Sequence, residues 1–219
     1  MAILKKDREE IPELWVIKFD PEAAQKFREH MLALSKEDEH KPITIYIDSY
    51  GGYVDSLAKM LETMDEVPNP KITVCMGVAM SCGAILLSHG DIRFCSQHSR
   101  VMLHEVSSGA WGKTQDLKVD AHETNRLNEW AMGLLAKNCN IKDGYKGLRK
   151  VFKDRDNTDL YLDAKEALAF GIVDAVGVPK VNTVAGYEIS AIAPKQGRVP
   201  MVPKPPKSES KRKGKGKVK

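Results

Sequence analysis

The chain has 219 residues, with 34 Lys and Arg against 30 Asp and Glu, for a formal charge of +4. That length suits one domain with a core that needs no disulfide or metal staples. A content of 42% apolar and 29% charged residues excludes a disordered or fibrous chain. The charge is uneven: residues 204–219 hold eight basic side chains and one acid, Glu209, a net of +7, so the rest of the chain sums to −3. No run approaches the ~20 apolar residues of a membrane helix, and the first ten residues lack a secretory core. Cys75, Cys82, Cys95 and Cys139 have no CxxC spacing. They read as reduced thiols of a cytoplasmic protein without structural zinc or membrane contact.

In chain order, LWVIKF (14–19) predicts a strand. Asp20-Pro21 opens a helix whose Ala23, Phe27, Met31 and Leu34 recur at helical steps. ITIYID (43–48) is a strand broken by Gly51-Gly52, and a helix follows from Tyr53 to Glu66. ITVCMGVAM (72–80) is apolar throughout, as in a strand covered on both faces, and completes a parallel crossover. SCGAILLSHG reads as a helix, IRFC (92–95) and RVMLHEV (100–106) as strands, and 115–139 as the longest helix. A short helix near 144–152 and a strand LYL (160–162) precede DAKEALAFG. There Asp163 and Glu166 form a capping box and Gly171 a C-cap. IVDAVG closes the core, and VNTVAGYEISAIAP suits a further strand or hairpin.

Ser81 lies where a buried strand meets a helix, among the small residues of AMSCGA. A serine there is either a helix N-cap or a nucleophile presented on a sharp turn. Parallel strands end at one edge of a sheet, so Gly51-Gly52 belongs beside Ser81. A glycine N–H can approach a substrate carbonyl closely, and with the Cys82 N–H it makes a two-donor oxyanion site. Of the six histidines, His104 falls at the end of an apolar strand before a Gly/Ser loop. It is either satisfied by sheet backbone or a general base, since unperturbed imidazole titrates near pH ~6.5. A third group would orient it. Asp154, Asp156, Asp159 and Asp163 are candidates. Asp163 is better explained as a cap, and Asp159 immediately precedes LYL.

These residues point to a family. YIDSYGGYVDSLAKMLETM, ITVCMGVAMSCGAILLSHG, RFCSQHSRVMLHEV and YLDAKEALAFGIVDAV cover most of residues 43–176. In that order they resemble the proteolytic-subunit family of the caseinolytic (Clp) protease. The resemblance implies an α/β fold, a crotonase-like spiral of ββα units with a long protruding handle helix. It also implies a serine endopeptidase acting on unfolded polypeptide inside stacked homo-oligomeric rings. It maps the nucleophile to Ser81, the base to His104, the acid to Asp159 and the oxyanion donors to the N–H groups of Gly51 and Cys82. Gly52, Ser108 and Gly109 would bind substrate backbone. The domains implied are a short segment 1–13, a peptidase domain 14–180, an extension 181–203 and a disordered basic tail 204–219.

No cofactor is expected, and ATP would enter only through a partner unfoldase ATPase. The short N-terminal segment argues against that partner. Glu105-Val106 stands where the family has Gln-Pro, and 140–158 is longer than usual. Such departures resemble the divergent relatives encoded by bacteriophages, some of which process capsid proteins. Three rivals follow. One is a Ser–Lys protease of signal-peptide-peptidase type using Lys59. Another is a scaffold subunit whose basic tail contacts nucleic acid or acidic protein. The last is an acyl-CoA enzyme, which would need no Ser–His pair.

Overall fold

The structure, a computed structural model, describes residues 12–156, 158–183 and 187–192. Strand β1 (Glu13–Val16) leads into helix α1 (Pro21–Glu37). The Asp20 side chain accepts the Ala23 N–H at 2.7 Å, and Pro21 fills the first turn. α1 buries Ala24, Phe27 and Met31. Next come β2 (Ile43–Ser49), α2 (Val54–Glu66), β3 (Lys71–Met80) and α3 (Cys82–Ser88). β4 (Ile92–Cys95), β5 (Arg100–Leu103), α4 (Thr114–Asn138) and α5 (Gly144–Lys153) follow. β6 (Leu160–Asp163), α6 (Ala164–Phe170), β7 (Ala175–Val176) and a β8 (Val178–Thr183)/β9 (Tyr187–Ile192) hairpin end the described chain. The hairpin is antiparallel and forms its own small sheet. The segment 1–11 and the basic tail lie outside the described residues.

β3 organises the main sheet because it pairs with three strands. Along one side it runs parallel to β2; along the other, Ile72–Cys75 pair with β4 and Val78–Met80 pair with β5. Gly77 separates the two halves at φ 108°. Its N–H donates to Ser99 Oγ at 2.8 Å, and the next N–H, of Val78, donates to Asp48 Oδ1 at 3.1 Å. A Cβ at position 77 would stand 2.3 Å from that same Asp48 oxygen, so the irregularity requires glycine. β5 then pairs antiparallel with β6, and β4 parallel with β7. The result is a spiral of strands and helices. Ile43, Ile45, Ile47, Leu57, Met60, Leu86, Leu87 and Leu103 are buried in its core. Helix α4 enters that core only at Asn128, Ala131, Met132, Leu135 and Ala136. Its N-terminal turns, Thr114–Glu123, are exposed and stand away from the body as the expected handle.

One guanidinium ties three helix ends together. Arg93 on β4 donates through Nη1 to the carbonyls of Asn138 (3.0 Å), Gly171 (3.1 Å) and Ser88 (3.5 Å). These close α4, α6 and α3, where a cation also meets the negative ends of the helix dipoles. Nη2 and Nε hold Asp174 at 2.5 and 3.0 Å. Burial alone would raise the Asp174 pKa, but its hydrogen bond with Arg93 and the opposite charge hold it below the ordinary carboxylate range. A lowered folded-state pKa contributes stability that is complete above about pH 4 and is lost as pH falls through the folded value. Arg93→Met should cost about 1–3 kcal/mol in urea unfolding at pH 7, chiefly because the helix-end carbonyls lose their donor, the half-exposed Asp174 being screened by solvent. It should also flatten the acid-side loss of stability seen in wild type. Equal stability of the two proteins at pH 7 would refute the tie.

Candidate active site

Ser81 occupies the turn between β3 and α3 at φ 55°, ψ −120°, a conformation outside both helix and strand. Holding a non-glycine residue there costs about 1–3 kcal/mol. Its N–H donates to the Met102 carbonyl at 2.9 Å, and its carbonyl accepts the Ala84 N–H at 3.0 Å to start α3. The side chain makes no cap hydrogen bond, which removes the N-cap alternative. Instead Ser81 Oγ lies 2.7 Å from His104 Nε2. The β3–β5 register explains the distance: Met80 is opposite Met102, and His104 follows two residues on. The expected strand 100–106 ends at Leu103, so His104 sits just past the sheet.

Gly51 is at φ 104°, and a Cβ there would approach the Ser81 Cβ to 2.7 Å. Any other residue would displace the serine. Its N–H, however, donates to Ser49 Oγ at 3.1 Å. In this structure the Gly51 N–H, expected as an oxyanion donor, is occupied by that bond. Gly52 instead lines the cleft with Ser81, Cys82 and His104. Its N–H has no acceptor among the described residues. The Cys82 N–H opens α3, where helix geometry supplies no acceptor. The Cys82 thiol is buried and donates to the Gly52 carbonyl at 3.3 Å. Burial pushes its pKa up, so this thiol braces the two turns and is no rival nucleophile.

Asp159 is exposed and precedes β6. β5 and β6 pair Leu103 with Leu160. The ladder ends at that pair, so His104 and Asp159 each lie one residue beyond it. No hydrogen bond joins the two in this structure. Of the other candidates, Asp163 caps α6 by accepting the Lys165 and Glu166 N–H groups, as expected. Asp154 ends α5 and Asp156 sits at φ 57°. Lys59 donates to Gln25 on α1 at 2.5 Å and does not line the cleft at Ser81.

The cleft beside Ser81 holds about 60 Å³ and is walled by Val54, Ile85, Val106, Ala131 and Met132, with Ser107 at its edge. The expected backbone contacts at Ser108 and Gly109 are not part of it. Ser108 is exposed and shares a hydrogen bond with Thr124 at 2.8 Å, and Gly109 is exposed with nothing near its would-be Cβ. The Ala131 and Met132 walls were missed in sequence. Their helical spacing marks them as core but not which neighbour they cover. The strained turn yields a direct test. Ser81→Gly should raise unfolding stability by about 1 kcal/mol, since glycine adopts this conformation without penalty. Equal or lower stability than wild type would show that the turn carries no strain.

A comparison with protein-family models matches residues 15–180 to the Clp protease family. The matched span contains Gly51, Gly52, Ser81, His104 and Asp159, together with the three-way pairing of β3 and the long helix α4. The chain belongs to the Clp protease family of peptidases and has its mixed α/β fold.

Proposed function

We propose that the protein is a serine endopeptidase that cleaves flexible polypeptide chains. The observation that carries this reading is the 2.7 Å contact between Ser81 Oγ and His104 Nε2, made by a serine in a strained turn with no capping role. His104 takes the Ser81 proton as Oγ attacks the amide carbonyl, then returns it to the leaving amine. The developing oxyanion is received by the N–H groups of Gly52 and Cys82, each such donor being worth about 10²–10³ in rate. Asp159, one residue before the Leu160 that pairs with Leu103, orients the imidazole as substrate closes the site. The apolar walls of the cleft favour an apolar side chain before the scissile bond.

The exposed turns of α4, with Leu117 and Val119 on them and Trp111 98% exposed just before them, support self-association into rings around a chamber. Such a chamber would restrict cleavage to unfolded chains. A scaffold without activity would need neither the strained turn nor the Ser–His contact.

A fluorophosphonate probe tests the reading. It should modify Ser81 in the assembled wild-type protein, and peptides with Leu before the scissile bond should be cleaved faster than those with Asp. Ser81→Ala and His104→Ala should each lose at least about 10³-fold in peptidase kcat. An unlabelled Ser81 in folded, assembled protein would refute the assignment.

A further inference from the structure

The segment after β5 has lost its ladder partners, yet it must hold His104 within 2.7 Å of Ser81 and then form the cleft wall at Val106 and Ser107. One side chain takes the place of a neighbouring strand. Asn128 lies where α4 first enters the core and is 8% exposed. Its Oδ1 accepts the Val106 N–H at 2.9 Å. Its Nδ2 faces Tyr145 Oη on α5 at 3.3 Å and Glu105 Oε1 at 3.4 Å. The carboxamide oxygen therefore gives the Val106 N–H the acceptor that an adjacent strand would supply, while its nitrogen is held by side chains.

The need for it is local. A buried backbone N–H left without an acceptor is costly, and water is the only other partner. Val106, unlike a proline, has an N–H to satisfy, and the acceptor comes from Asn128. Glu105, its neighbour, meets the same carboxamide. Beyond these residues opens a polar cavity of about 330 Å³ between α4 and α5, lined by Glu105, Thr124, Asn125, Tyr145 and Arg149 among others. The described interactions that hold residues 104–107 away from that space are the His104–Ser81 contact, the packing of Val106 on the core and the hydrogen bonds to Asn128.

We infer that Asn128 is a positioning residue: by accepting the Val106 N–H it fixes the segment that carries His104 and walls the cleft. This rests on the serine-peptidase reading above. Asn128→Ala should lower kcat at least tenfold, with a smaller change in KM, and slow fluorophosphonate labelling of Ser81 in parallel. Val106→Pro removes the donor that Asn128 serves, so in that background Asn128→Ala should cost less than threefold in kcat. An equal cost in both backgrounds, or an unchanged kcat in the single variant, would overturn the inference.

Amide hydrogen exchange supplies a readout that does not depend on activity. In Asn128→Ala the Val106 N–H should lose at least tenfold in protection, while Val101–Leu103 on β5 stay protected. Val106 protection equal to wild type would overturn the inference even if Val106→Pro failed to fold. Absence of Ser81 labelling in wild type would be a failure of the peptidase reading. Normal labelling in wild type and variant alike would be a failure of the Asn128 assignment alone.

Discussion

The Ser81 N–H to Met102 carbonyl hydrogen bond, 2.9 Å long, is the constraint on which the site depends. It is the last rung between β3 and β5, and it joins the residue that carries the hydroxyl to a strand two residues short of the imidazole. With the rung in place, the Ser–His distance is a matter of backbone geometry and needs little adjustment by side chains. The rung forms only because β3 sheds β4 at Cys75 and takes up β5 at Val78. That exchange depends on the break at Gly77, where Asp48 and Ser99 satisfy the N–H groups freed from the ladder.

Rigidity on one side of the site contrasts with looseness on the other. Arg93 gathers the ends of α3, α4 and α6, so the helix that begins at Ser81 is held at both of its termini. Gly51 packs against the Ser81 side chain so closely that a methyl group would not fit. Past Leu103 the ladder with β6 ends, and no hydrogen bond joins Asp159 to His104. Loss of the ladder leaves the base on the end of a short tether. A buried asparagine is well suited to hold such a tether, because its amide oxygen takes the Val106 N–H while its amide nitrogen is anchored to Glu105 and Tyr145 side chains.

Much of the fold was legible in the sequence because its signals are local. Asp20-Pro21 started α1 and the Asp163/Glu166 box with Gly171 bounded α6, each through contacts within one turn. Ser81 and His104 were legible from the small residues around one and the strand-end place of the other. What escaped depends on partners distant in sequence. VMLHEV reads as one strand, yet only its first part finds β6 and β3 beside it. Gly51 and Gly52 are equivalent as letters; the Ser49 hydroxyl, by taking one N–H, makes them different. Ser108 and Gly109 were given to substrate backbone only by the resemblance, and in this structure Ser108 shares a hydrogen bond with Thr124 on α4. The basic tail dominates the net charge and lies outside the described residues, while the cleft belongs to the part of the chain that sums to −3.

The central claim is that Ser81 is the nucleophile and that His104 activates it through the contact observed. Rapid mixing with a chromogenic acyl ester tests it most directly, because it isolates acylation from later steps. The account predicts a burst of about one acyl group per chain, recovered on Ser81 by mass spectrometry and absent in His104→Ala. A burst that persists in His104→Ala, or an acyl group recovered on any residue other than Ser81, would contradict it.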